Sequence, residues 1–466
     1  MESGIAKEKK TFKLPHVFVI MLILMIFVSI LTYVVPSGQY SRVESPGSSV
    51  AVVDPASYHN IDKTPVSPWD FFKSIYNGFV AGGVIMGSLI ICSGSLGVLQ
   101  ATGTFAAGIQ KLIRSAKGKE MIVVVIFYLA FTFFGVLGFG EAAYPMFPLV
   151  IAVFISMGYD RMVGTAVCMF GATAGFTAGL FNLFTTGISQ QIVGLPMYSG
   201  LAYRMVSLAV FFAIGLFFLA SYCLKIRKNP NLSVMGEEYL QQKTADTSME
   251  EVPLTTKRII AWILYAIAIA VQVFGAIKYS WGLAEISSVY VIYSVILAFL
   301  FRMKADEACA SFLKGATTVL GAALTIGLAR SVMLLLSQGN ITDTFVKFMS
   351  DLLVDTPLLT ILVIYLFVTI FNFFVVSGSG KAVIMMPILS PLGQILKINQ
   401  QVLVLTYQFG DGMTNSFWPG GAMIPLALCG VNYGVWFKFC WKAYVVFIAA
   451  GYVMAMLAHL IGVGPF

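Results

Sequence analysis

Apolar stretches of about 20 residues follow one another along this chain, and that length carries a helix across a bilayer core of roughly 30 Å. They begin at Val17–Val35 and recur to residue 460. Barrel strands would instead alternate over about 10 residues. Of 466 residues, 58% are hydrophobic and only 11% charged, too little polar surface for water-facing domains of this size. The expected fold class is an all-α polytopic membrane protein. The net charge of +8 sits beside hydrophobic segments rather than in one solvated domain, so it reports topology and no nucleic-acid partner. The six cysteines are isolated and indicate neither a disulfide framework nor a zinc site.

Hydropathy places crossings near 17–35, 74–99, 162–190 and 203–223 in a first half, 17–223. In the second half, 257–466, they fall near 259–277, 284–301, 315–337, 401–430 and 438–460. The first apolar segment follows a basic tail, 1–16, and lacks a clear small-x-small cleavage site, so it is expected to stay as a crossing. Two further segments, 120–158 and 356–397, are apolar but interrupted, and they read as re-entrant hairpins. Non-helical backbone at membrane depth is tolerated only inside protein or beside a cavity, so each interruption implies a polar chamber. A polar linker, 224–256, with basic residues at both ends is expected to be cytoplasmic. About nine crossings plus two hairpins leave the N-terminus cytoplasmic and the C-terminus outside.

The halves repeat each other. Residues 131–149 shifted by 240 positions match nine of 19 residues of 371–389, where about one or two would be expected by chance. Each hairpin is followed by a crossing expected to break at glycine, Phe170-Gly171 and Phe409-Gly410. The segment carrying Lys111, Arg114, Lys117 and Lys119 is basic, whereas its counterpart carries Asp343, Lys347, Asp351 and Asp355. That opposite bias is what inverted repeats require under the positive-inside tendency.

The hairpin tips align Glu141 with Lys381, two opposite charges near the midplane. They either pair with each other or bind opposite ends of a polar solute, Lys381 its carboxylate and Glu141 an ammonium or a coupling proton; alternatively one faces an aqueous vestibule. Gly138-Phe139-Gly140 and Gly378-Ser379-Gly380 let backbone amides approach a ligand, and Ser377 and Ser379 add hydroxyls. Gly-Ser-Gly-Lys is not a phosphate loop, because Val375 and Ala382 replace required residues. Thr177, Asn182, Thr414 and Asn415 in the interrupted crossings suit a desolvated solute or cation, with helix packing as the alternative. Asp411, expected in unwound chain, is the candidate ion-coupling residue together with Glu141. Arg330 reads as an interface arginine or a solute contact. Gly83, Gly87, Gly321 and Gly327 are expected to permit close helix contact. His16, His59 and His459 fall at boundaries and loops, so no metal site is expected.

Phe371-Asn-Phe-Phe-Val-Val-Ser-Gly-Ser-Gly380, Met386-Pro387, Pro391-Leu392-Gly393 and Gln408-Phe-Gly-Asp-Gly412 closely resemble the YfcC family of bacterial inner-membrane transporters, relatives of the DcuC-like anaerobic dicarboxylate carriers. Val35-Pro-Ser-Gly38, Phe139-Gly-Glu141 and Gly187-Ile-Ser-Gln190 agree, so the resemblance spans nearly the whole chain. It implies the ion-transporter superfamily: homodimers with a scaffold and a moving part that contains two hairpins. It also implies exchange of basic amino acids, of the arginine-ornithine type in some members. Two residues depart from the pattern. Lys381 stands where a neutral Gln is expected, and Leu183 where an Asn-Pro pair usually follows Asn182. An added cation argues against a purely cationic solute.

These readings converge on a secondary transporter or antiporter of a small amino acid in the bacterial inner membrane, with elevator-type alternating access. The alternative is a proton- or sodium-coupled carrier of dicarboxylates or other small carboxylates. No cofactor is expected beyond the coupling ion. A channel would need a continuous polar path, and an intramembrane enzyme a nucleophile with a base or a metal cluster; neither is evident in the sequence.

Overall fold

The computed structural model describes residues 17–44, 51–54, 56–116, 118–138, 140–244, 252–279, 281–352 and 356–464. The tail 1–16, Phe139, Lys117 and Asp355 lie outside them. Helices of the first half are α1 (Val17–Val34), α2 (Pro68–Ala101), α3 (Thr104–Ala116), α4 (Glu120–Val136), α5 (Phe147–Ser156), α6 (Arg161–Ala178), α7 (Ile188–Ile192) and α8 (Leu201–Lys228). The linker holds α9 (Glu237–Thr244). The second half holds α10 (Thr256–Tyr279), α11 (Leu283–Phe301), α12 (Ala305–Thr318), α13 (Leu320–Gln338), α14 (Thr342–Asp351), α15 (Pro357–Phe371), α16 (Gly378–Ile395), α17 (Gln400–Thr414), α18 (Pro419–Cys429) and α19 (Tyr433–Leu460).

The fold is nearly all helical. The loop between α1 and α2 adds what the sequence reading did not contain, two small antiparallel sheets: Gly38–Gln39 with His59–Asn60, and Arg42–Glu44 with Ala51–Val53. Among the described residues, α2, α8, α11 and α19 are each long and apolar enough to cross a membrane. The pair α12 and α13 makes a fifth such unit, bent by 45°. The expected straight crossing at 315–337 thus starts inside α12 and turns at the junction.

Segment 120–158 is an antiparallel helical pair. Phe127 meets Phe154 and Phe131 meets Phe147, with ring centroids 5.7 and 5.4 Å apart. Its two feet close on one end of α8: Glu120 pairs with Arg227 at 3.2 Å, and the Tyr222 hydroxyl donates to Asp160. In the second half α15 runs alongside α17 and α16 runs against it. The Cβ position of Gly410 lies 3.0 Å from Tyr365 O, whereas α16 meets α17 at Lys381–Asp411 and at Gly393–Leu403.

Packing separates two groups of helices. α2 lies against α11, α12 and α13, and α1 against α13. α4, α5, α6 and α8 form one bundle, which α15, α17 and α19 join through α6–α17 and α8–α19. Small residues let these helices approach, since lipid gives no hydrophobic drive for helix association. Gly97 and Gly315 face each other, each Cβ position 2.7 Å from the other's Cα. Of the expected packing glycines only Gly327 has a near neighbour, Phe79; Gly83, Gly87 and Gly321 have nothing within 4 Å. Gly78, Gly82, Gly94 and Gly97 take that role, because they lie on the face of α2 turned toward α12 and α13.

Candidate functional site

The first hairpin turns after α4 beside Gly138, which adopts φ +75°, a left-handed conformation that favours glycine. A 3-10 turn, Glu141–Met146, then leads into α5. Glu141 is its first residue, and the Glu141 side chain lies outside the described residues. The second hairpin turns at 372–377, and α16 starts at Gly378. Ser377 Oγ accepts from Gly380 N at 3.2 Å, so its hydroxyl caps a helix whose N-terminal dipole end opens into a cavity.

That cavity has a volume of about 990 Å³. Met21, Leu24, Ile286, Ala329, Arg330 and Met333 from α1, α11 and α13 are among its lining residues. Both hairpin tips also line it through Gly138, Gly140, Ser377, Gly378 and Ser379, as do Gly412, Asn415 and Ser416. Among the described residues Arg330 is the one charged residue in the lining. An apolar chamber with a few polar groups converging in it is the usual form of a small-molecule site.

Seven of the anticipated residues therefore line the cavity: Gly138, Gly140, Arg330, Ser377, Gly378, Ser379 and Asn415. Thr177, Asn182, Gly380, Lys381, Asp411 and Thr414 do not line it. Lys381 and Asp411 are fully buried and pair with each other, Nζ to Oδ1 at 2.5 Å. Lys381 also donates to Asn372 Oδ1. In this conformation the lysine is held by Asp411 and Asn372 and does not line the cavity. Thr414 Oγ1 lies 3.0 Å from Asn372 Nδ2. Thr177 donates to its own helix at Thr173 O, 2.6 Å. Asn182 Oδ1 accepts from Thr185 N at 3.2 Å and so caps the π turn Leu183–Gly187. Gly380 N is spent on the Ser377 cap.

The interruptions also fall elsewhere than expected. α6 and α17 run unbroken through Gly171 and Gly410, and Asp411 is helical. The chain leaves helix at Gly179–Asn182 and again at 415–418. Gly171 and Gly410 are contact points instead: their Cβ positions lie 2.8 Å from Tyr128 O and 3.0 Å from Tyr365 O. A glycine flanked by helix formers keeps its backbone hydrogen bonds when a neighbouring helix packs onto it.

Three features escaped the sequence reading. Asn372 lies 3.0 Å from the Asp411 carbonyl and 2.8 Å from Asn415 Oδ1, tying the second tip to the end of α17. Thr186 donates to Gln408 Oε1 at 3.0 Å, and Gln408 Nε2 to Phe176 O at 2.6 Å, joining α17 to the break after α6. Arg204 is fully buried near the start of α8, with NH1 3.4 Å from Ala178 O, the buried carbonyl end of α6. Polar residues inside apolar runs were the available signal for Asn372 and Arg204.

Several helices long and apolar enough to cross a membrane, with two hairpin tips lining one cavity, fit a multi-pass membrane protein. Residues 14–460 match the C4-dicarboxylate anaerobic carrier family, DcuC, and this chain belongs to that family. It is 30% identical to the Escherichia coli K12 protein named "Putative basic amino acid antiporter YfcC", over 94% of this chain and 95% of that one. An uncharacterized Haemophilus influenzae protein is 26% identical over 93% of this chain and 94% of its own. The Alcanivorax borkumensis YdaH transporter structure aligns over 97% of this chain and 100% of that chain, with TM-score 0.43 and 14% identity. The family and its named members are carriers and antiporters, so the chain is a transporter and not an enzyme.

Proposed function

We propose that this protein is a secondary active transporter of a small amino acid, exchanging it across the bacterial inner membrane by an elevator-type movement. The observation that carries this is the cavity itself: α1, α11 and α13 and both hairpin tips all contribute to its lining. A solute held at the tips would travel with the hairpin bundle past a fixed scaffold. The name of the Escherichia coli relative supports an amino-acid exchanger of this kind. The matching contacts Gly171–Tyr128 and Gly410–Tyr365 support two inverted repeats, with nine crossings and two re-entrant hairpins. Asp411 is the proposed coupling residue, and Ser377, Ser379 and the α16 N-terminus the proposed carboxylate contacts. Glu141 is the proposed contact for a solute ammonium.

Arg330 favours a second reading. A described cation in the same lining as a helix N-terminus suits an anion, and a dicarboxylate carrier would accord with the family's description. Uptake and counterflow of labelled amino acids and dicarboxylates in proteoliposomes test both, with proton and sodium gradients imposed separately. Arginine or ornithine accumulation that requires an internal exchangeable amino acid supports the antiporter. Dicarboxylate uptake that survives Glu141→Gln supports the second reading, and transport of neither class refutes both.

A further inference from the structure

Lys381 and Asp411 form an ion pair in which both side chains are wholly shielded from solvent. No other ion pair among the described residues is buried in this way. Neither Asp411 oxygen accepts an aligned hydrogen bond from a described residue, so the ammonium is what meets the carboxylate's charge. The rest of the seat is oxygen. Asn372 Oδ1 receives the same ammonium, while Asn372 Nδ2 holds the Asp411 carbonyl and Thr414 Oγ1, each at 3.0 Å. Backbone closes directly over it, since a Cβ on Gly378 would stand 2.9 Å from Asp411 Oδ2. A carboxylate and an amide oxygen, enclosed between a hairpin tip and the last turn of an interrupted helix, are the donors a desolvated alkali cation needs. Here a compact point charge on a flexible stem occupies that place.

We propose that the Lys381 ammonium is a tethered cation, filling beside Asp411 the seat that a free monovalent cation would otherwise take, so this carrier draws no sodium there. The inference deepens the coupling role given to Asp411 above and rests on that reading for its consequence in transport. Removing the lysine leaves a buried carboxylate without its counter-charge, a state that must recruit another cation. Glutamine at 381 is shorter and neutral; it frees the position of Nζ and offers a third oxygen.

Thermal unfolding of the purified full-length protein, in sodium chloride against choline chloride at equal ionic strength, reads this without any solute. The wild type is expected to show no sodium-specific shift. Lys381→Gln is expected to gain a saturable rise of a few degrees in sodium but not in choline, and Lys381→Gln with Asp411→Asn to lose it. A saturable sodium shift in the wild type overturns the proposal, as does a folded Lys381→Gln protein indifferent to sodium. Should Lys381→Gln fold only when prepared in sodium, the proposal stands; should it fail in both salts while the double variant folds, the proposal is wrong. In proteoliposomes, wild-type uptake is expected to be unchanged when choline replaces sodium. Absence of all uptake would refute the transport reading and leave the unfolding result to be judged alone.

Discussion

Asp160 bears three bonds at the mouth of α6. Its carboxylate accepts from Ser233 Oγ at 2.5 Å, from the Tyr222 hydroxyl and from Val163 N at 3.0 Å, so one side chain caps α6 and fastens the linker to α8. Burial pushes its carboxyl above the usual carboxylate range, against the pull of those hydrogen bonds. A raised folded value means that its stabilising contribution is full below the ordinary carboxylate pKa and is lost as pH rises through the folded one. Measured against Asp160→Asn, which keeps a capping oxygen, the wild type should gain thermal stability as pH falls from about 7 toward about 4. A pH-independent difference would show that the carboxyl ionises alike folded and unfolded. Glycines divide just as sharply. A Cβ on Gly175 would stand 1.9 Å from Thr132 O and 2.7 Å from Val136 N, backbone that cannot rotate away. Gly175→Ala is expected to cost roughly 1–3 kcal/mol in detergent unfolding. Gly83→Ala, in open space, is expected to cost nothing. Sequence placed glycines in both helices, but which of them touch a neighbour depends on the rotation of α2 and α6, and composition does not fix that rotation.

Among the elements, the two bundles repeat a three-helix arrangement. The Tyr128 hydroxyl on α4 donates to Phe212 O on α8 at 3.2 Å, and the Tyr365 hydroxyl on α15 to Ile448 O on α19 at 2.8 Å. Each hydroxyl lies over a glycine of the third helix, 2.2 Å from the Cβ position of Gly215 and 2.5 Å from that of Gly451. Tyr128→Phe and Tyr365→Phe should each cost roughly 0.5–1.5 kcal/mol, by similar amounts. A large loss at one position and none at the other would break the equivalence. The hairpin tips were legible in sequence because nine identities fall at one shift. The tyrosine pair was not, since it is offset by 237 positions (365 − 128) against 240 at the tips. A change of three residues is nearly one helical turn and keeps a side chain on the same face, so structure preserves what the alignment loses.

For the whole molecule, the elevator movement proposed above requires the second hairpin tip to move relative to α1. Phe27 on α1 stacks on Phe374 at the second tip, with ring centroids 6.2 Å apart. Cysteines at these two positions, in a background lacking the six native ones, should cross-link with a short bifunctional reagent. The link should arrest counterflow, and reduction should restore it. Counterflow that continues in the linked protein would refute movement of the tip along α1. Sequence by itself determined that the chain spans a membrane, that it carries two interrupted hairpins, and that glycine and serine form their tips. Hydropathy, interruption and repetition are properties of segments, and segments are what a sequence displays. Only the tertiary structure decided that Lys381 meets Asp411, that Asn372 ties the second tip to α17, and that the helices after each hairpin run on through Gly171 and Gly410. Those outcomes depend on which buried charges lie within a few ångströms of each other once helices from both halves are packed, because an uncompensated charge in so dry an interior is costly enough to select its partner.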